Sequence, residues 1–242
     1  QATSPTAAQA STDMFVQNKS EKSKVDILWV VDNSGSMEDE QDALAQNFDS
    51  FIHKFMKKNI DFKMAVTTTD ARHGKSGTYA GSLTSLTAEK AKENLNHFYQ
   101  KFEDFVSVGI HGSGTEMGLK TSHDFLRRWS DKWARRDAQL AIIILSDEEE
   151  QSSYKVSEVV QAISKFKASE GQVKIYTITN FAENQATMPA YESVGYRYLE
   201  AAKMTHGLSA NIKKDFSDVL QAVGTQIVTL LDQFVLSKTP VS

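Results

Sequence analysis

Hydrophobic positions along the chain follow two alternating rhythms. Short, nearly continuous apolar runs are separated by stretches in which apolar residues recur every three or four positions. The runs VDILWVVD (25–32), AQLAIIILSD (138–147) and VKIYTIT (173–179) predict strands covered on both faces, because a half-exposed strand would alternate with polar residues. DFKMAVTTTD (61–70) predicts another strand, and SANI (209–212) a last short one. Between them, Leu44, Phe48, Phe51, Ile52 and Phe55 fall on one helical face. Glu38, Asp39 and Glu40 open that helix and Lys54, Lys57 and Lys58 close it, the order its dipole favours. Leu95, Phe98, Phe102 and Phe105 predict a helix over 88–106. Further helices are expected over 116–134, 156–168 and 197–204. A final helix carries Phe216, Leu220, Val223, Ile227, Leu231 and Phe234. Residues 71–87, rich in Gly, Ser and Thr, read as a loop with room for a short edge strand. The repeated alternation predicts a doubly wound α/β fold, a three-layer α/β/α sandwich around a mostly parallel sheet.

The ends behave differently. Residues 1–23 are small and polar and bury too little to offset their ordering entropy, so they read as a flexible tether. They contain no apolar core of a signal peptide. The folded domain is expected over 24–237, with 238–242 as a short tail. Composition narrows the function. With 27 Lys+Arg against 31 Asp+Glu the net charge is −4, which argues against nucleic acid as a partner. No apolar run approaches the ~20 residues of a membrane span. The absence of Cys excludes thiolate chemistry and disulfides within the sequence.

Ligands of doubly wound sheets bind at the carboxyl ends of the strands. There the first strand runs into Asp32-Asn33-Ser34-Gly35-Ser36, the glycine-rich segment GIHGSGTE (109–116) supplies Thr115, and the AIIIL strand ends in Ser146-Asp147. Two carboxylates and several hydroxyls are hard oxygen donors of the kind Mg²⁺ takes while keeping part of its water shell. Asp32, Ser34 and Ser36 alternate, so their oxygens can turn toward one point.

VDNSGSM after a buried strand resembles the D-x-S-x-S motif of the von Willebrand factor A domain, in its metal-ion-dependent adhesion site. The resemblance runs over about 24–236. It implies a metal held by Asp32, Ser34, Ser36, Thr115 and Asp147, with Mg²⁺ as cofactor or Mn²⁺ or Ca²⁺ in its place. It implies a non-catalytic module whose metal captures a Glu or Asp carboxylate of a partner protein. VDNSGSM, AVTTTD and SDEE together also resemble exported bacterial proteins of this type, often lipid-anchored. That implies a periplasmic, outer-membrane-anchored or extracellular location, with any lipidated Cys upstream of residue 1.

Other readings compete. Ser34 and Ser36 suit a helix N-cap, and Gly112, Gly114 and Thr115 suit a plain loop and cap. Asp70 and Gly114 stand where they would rim the site or merely turn the chain. Glu148, Glu149 and Glu150 read as a solvated helix start, with Glu148 also a candidate for the rim. His111 and His123 flank the Thr115 loop without metal-ligand spacing. Trp129 and Trp133, four apart, are expected to pack together. The loops 71–87 and 180–195, with Phe181, Tyr191 and nearby Tyr196, are candidate rims. An Mg²⁺-dependent hydrolase using Asp70, His111 or Glu148 as base, and a permanent subunit of an envelope assembly, are the alternative functions.

Overall fold

The computed structural model describes residues 22–237, with side chains through 232. The tail, nearly all of the expected tether and the Phe234 side chain therefore lie outside the described residues. The described strands are β1 (Lys24–Val31), β2 (Asp61–Thr68), β3 (Leu86–Thr87), β4 (Gln139–Ser146), β5 (Val173–Thr179) and β6 (Ser209–Asn211). They form one sheet in the order β3-β2-β1-β4-β5-β6. Every pairing is parallel except that of β3, the edge strand within 71–87, which runs antiparallel to β2. The helices are α1 (Glu38–Gln46), α2 (Phe48–Lys57), α3 (Ala88–Glu93), α4 (Leu95–Val106), α5 (Gly118–Trp133), α6 (Val156–Ser164), α7 (Tyr196–Met204) and α8 (Phe216–Ser237).

Strand periodicity divides the core into two layers. From β1, Val25, Ile27, Trp29 and Val31 point into a layer shared with α1, α2, α4 and α8. Leu28 and Val30 point into the opposite layer, built from α5, α6 and α7. Trp29 centres the first layer, with Phe51 and Phe102 edge-on at ring distances of 5.0 and 5.4 Å. The α/β/α sandwich predicted from the alternation is the observed fold.

Several helices are shorter than their periodicity suggested. The first splits at Asn47, whose backbone leaves the helical region (φ −106°, ψ 11°) and whose amide donates back to the Ala43 carbonyl at 2.9 Å. The 88–106 stretch splits at Asn94, extended at φ −156°, ψ 97°, whose side chain caps α4 by accepting from the His97 N–H at 3.0 Å. Leu95, expected in the apolar stripe, sits in that first turn and is exposed. α5 begins at Gly118 rather than 116, which leaves Thr115 and Glu116 in the preceding loop, and α6 stops at Ser164. Trp129 and Trp133 do not form a pair: Trp133 packs edge-on against Phe125, while Trp129 packs on Tyr79 and donates to the Gly77 carbonyl.

The amino ends of the strands are fastened by ions. Asp26 shares the parity of Leu28 and Val30 and is fully buried. It accepts from Arg135 Nε at 2.8 Å and from Lys167 Nζ at 2.9 Å, and Arg135 also reaches Asp61 at 2.8 Å. Burial pulls the Lys167 pKa down, against the opposing pull of Asp26. A buried pair of this kind is costly to break on one side, because the remaining charge is left without a partner.

Candidate metal site

β1 has β2 on one side and β4 on the other, so its carboxyl end is the point where strand order reverses. The ladder holds the chain up to that point: Asp32 N–H donates to Leu145 O at 2.9 Å, and Thr69 N–H to Val31 O at 3.3 Å. The backbone then turns around the Asp32 side chain. Ser34 N–H donates to Asp32 Oδ1 at 2.8 Å, an Asx-type turn. Ser146 Oγ, from the end of β4, donates to Asp32 Oδ2 at 2.6 Å. Buried Gln41 in α1 ties the turn down from behind, its amide donating to the carbonyls of Asp32 and Gly109 at 2.9 and 3.0 Å.

The hydroxyls continue from there. Ser34 Oγ and Ser36 Oγ lie 3.3 Å apart, and the Ser36 hydroxyl stands close enough to Asp147 to stabilise its carboxylate. Asp32, Ser34, Ser36 and Asp147 thus form one connected set across the ends of β1 and β4. Asp147 is 1% exposed, yet its Oδ1 has no hydrogen-bond partner among the described residues. Burial pushes the Asp147 carboxyl up to about 7, and the nearby Asp32 charge adds to this against the Ser36 hydroxyl. Burial also raises Asp32, with the bonds from Ser146 and Ser34 opposing.

The glycine-rich loop lies over this set. Gly112 N–H donates to the Asn33 carbonyl at 2.7 Å, and a Cβ at Gly112 would collide with the Asn33 side chain. A larger residue would therefore push the two loops apart. Further along, Glu116 bridges Asp70 and Met117 N–H bonds Thr69 O on the β2 side, while Gln151 N–H bonds Glu116 O at 2.7 Å on the β4 side. Residues 115–117 therefore cross above the end of β1. Thr115 faces outward: it is exposed, its N–H donates to Ser113 Oγ, and no hydrogen bond among the described residues joins it to the other four. Glu116 faces inward and is fully buried. Burial, reinforced by Asp32 and Glu148, pushes its carboxyl up to about 9.

Asp70 is committed elsewhere. It accepts Arg72 Nε at 2.9 Å and Nη2 at 2.6 Å, and Arg72 Nη2 also reaches the His111 carbonyl. Burial would raise its carboxyl, but the Arg72 guanidinium and N–H hold it below the ordinary range. Gly114 is exposed in open space, so packing places no demand on it. The acidic run is not a solvated helix start. Glu150 is buried and its Oε2 accepts the Leu119 N–H at 2.8 Å, in the first turn of α5. Half-buried Glu149 accepts the Arg197 N–H at 3.0 Å, in the first turn of α7. These carboxylates satisfy the free N–H groups of two distant helices rather than opening their own. Glu148 is turned toward Glu116, sharing with it the amide of Gln151. Arg197 holds this loop in shape by donating to the carbonyls of Glu150, Ser152 and Tyr154. Tyr154, Tyr191 and Tyr196 are exposed.

The donor set fits a hard divalent ion. Among the described residues no group of three or more His, Asp or Glu is placed to hold a metal, so an ion here would rest on two carboxylates, hydroxyls and water. Magnesium accepts such a set, and the Asp147 Oδ1 is an oxygen that finds no donor among the described residues.

No family model and no curated protein matches the chain. Its fold does match solved structures of proximal thread matrix protein 1 from the mussel byssus. Three of them superpose with TM-scores of 0.54, 0.53 and 0.53 at 13, 14 and 15% identity, over 86, 84 and 86% of this chain. One of the three has a zinc-occupied MIDAS motif. The chain spans about half the length of those structures, 46 to 48%. At this identity the likeness establishes a shared fold.

Proposed function

We propose that the chain is a metal-dependent binding module, in which a divalent cation at Asp32, Ser34, Ser36 and Asp147, with Thr115 at its open side, captures a carboxylate of a partner protein. One observation carries the reading: two buried carboxylates stand at adjacent strand ends with the Ser34 and Ser36 hydroxyls beside them, and Asp147 keeps an oxygen without a donor among the described residues. The ion supplies a Lewis-acidic position open to one outside oxygen. The chain orients the oxygens around that position: Ser34 N–H and Ser146 fix Asp32, Gln41 fixes the turn, and the glycine-rich loop closes over it. Mg²⁺ is the proposed native ion, with Mn²⁺ and Ca²⁺ as substitutes. Zinc in the mussel protein's MIDAS motif supports a divalent ion on this fold. Binding is favoured over turnover because Asp70, one of the candidate bases, is tied to Arg72. The bacterial envelope or its exterior is the proposed location, on the resemblance of VDNSGSM, AVTTTD and SDEE to exported proteins.

The test is calorimetric titration of wild type and Asp32→Ala with Mg²⁺, Mn²⁺, Ca²⁺ and Zn²⁺ after EDTA. Short peptides bearing one Asp or Glu are then compared with their amide counterparts in Mg²⁺ and in EDTA. Ion binding lost in Asp32→Ala, and peptide capture that needs both ion and acid, is the expected pattern. Equal ion binding by the two proteins would sink the site, and capture of the amide peptides would sink the carboxylate mechanism.

A further inference from the structure

Thr115 is exposed and the residue after it is not, and this reversal of the expected order has a chemical consequence. Residues 115–117 cross the end of β1, held to Thr69 on one side and Gln151 on the other. The inward side chain at that crossing is Glu116, with no exposed surface. Its Oε2 accepts the Gln151 amide at 3.0 Å, while its Oε1 has no hydrogen-bond donor among the described residues. No Lys, Arg or His among the described residues forms an ion pair with it. The groups that act on it are themselves acids, Asp32 and Glu148, and the Glu148 carboxyl lies within hydrogen-bond reach of it. A buried carboxyl with an unpaired oxygen facing other carboxylates is unfavourable in the absence of a donor or a cation.

We propose that Glu116 is a further acidic group of the metal site, which accepts from the water shell of the ion bound by Asp32 and Asp147 and so sets how tightly that ion is held. Direct ligation does not fit, since among the described residues no three acidic side chains are placed to share one metal. A Mg²⁺ ion keeps several waters, and those waters are strong donors to an acceptor beyond them. Gln151 is then the residue that orients Glu116, through its amide at Oε2 and its N–H at the backbone carbonyl. The inference rests on the metal reading above. The competing role is purely architectural: Glu116 would be a neutral group packed against Glu148 and Gln151, with no influence on the ion.

Glu116→Gln separates the two, because it keeps shape and removes charge. Titration of the EDTA-treated protein with Mg²⁺ and with Mn²⁺ is expected to show affinity about 10- to 100-fold weaker than wild type, the usual cost of losing an outer-shell acceptor. The ion-free variant is expected to melt at or above the wild-type temperature, since an amide carries no charge that folding must bury beside Asp32 and Glu148. An architectural role predicts the reverse, a lower melting point and unchanged affinity. Glu116→Asp keeps the charge and is expected to recover part of the loss. Affinity of Glu116→Gln within about twofold of wild type overturns the proposal and leaves the site itself standing. A wild type that binds neither ion overturns both. If Glu116→Gln does not fold, exposed Gln151→Ala decides: weaker binding than wild type supports the role, and equal binding overturns it.

Discussion

Asp147 offers the sharpest test of how the site is built. Its carboxyl is pushed from the ordinary 3.8 up to about 7, first by burial and then by the charge of Asp32. A group raised in the folded state holds its proton more tightly there than in the unfolded chain. Its contribution to stability is therefore complete below about 3.8 and is lost as pH rises through about 7. At about 1.4 kcal/mol per pH step, the loss amounts to about 4 kcal/mol. Asp147→Asn removes the titration while keeping the shape. In EDTA, urea denaturation of wild type and variant should give similar stabilities near pH 4. By pH 8 the variant should be the more stable by up to about 4 kcal/mol, or about 8–16 °C in melting temperature for a chain of this size. Magnesium should reverse the order of benefit. At a hundredfold its Kd it is expected to add about 2.7 kcal/mol to wild type, and little to a variant that has lost one of the two proposed carboxylate ligands. A variant less stable than wild type in EDTA at pH 8, or one that gains as much from Mg²⁺, refutes the view that Asp147 is strained by the absence of a cation.

Three further outcomes follow from the same structure. Asp32→Ala strands the Ser34 N–H and Ser146 hydroxyl it now accepts; an ion-free loss of about 1–3 kcal/mol per stranded group is expected by urea denaturation, and no loss would show that those bonds are unimportant. Asp26→Ala leaves buried Lys167 without its carboxylate and should cost about 3–5 kcal/mol, whereas a cost below about 1 kcal/mol would mean that Lys167 is neutral or hydrated. Gly112→Ala forces a methyl against Asn33, so metal affinity measured by calorimetry should fall with little change in the core, and unchanged affinity would show that the two loops move independently.

The fold was largely legible because its signals are local. Each long strand is a continuous apolar run, and the turn after β1 carries its acid and hydroxyls within five residues. Breaks at Asn47 and Asn94 were hidden because the apolar period continues across them, and only the asparagine side chains interrupt the backbone. The acidic run was misread for a different reason. Glu149 and Glu150 serve helix starts 48 and 31 residues away, and nothing nearby in sequence records such partners. The same holds for Glu116, since which of two neighbouring residues faces inward depends on the strands beneath the crossing. The sequence pointed to Thr115 through its resemblance to a motif; the structure adds the acid beside it.

β1 carries an acid near each end on the same face, Asp26 and Asp32, and the two are answered in different ways. Asp26 meets cations that belong to the chain, Arg135 and Lys167. Asp32 meets hydroxyls and N–H groups, and on the proposed function the charge it lacks is borrowed from solution. The sheet is thus riveted at one rim and latched at the other. When the borrowed ion is withdrawn, fraying should start at the Asp32 rim while the Asp26 rim holds. Amide exchange in EDTA should therefore quicken around 32–36 and 112–117 well before it does in the amino halves of β1 and β4. Calcium or magnesium outside the protein would then set which end of the same strand gives way first, and a load applied through a captured partner would fall on the end that external ions control.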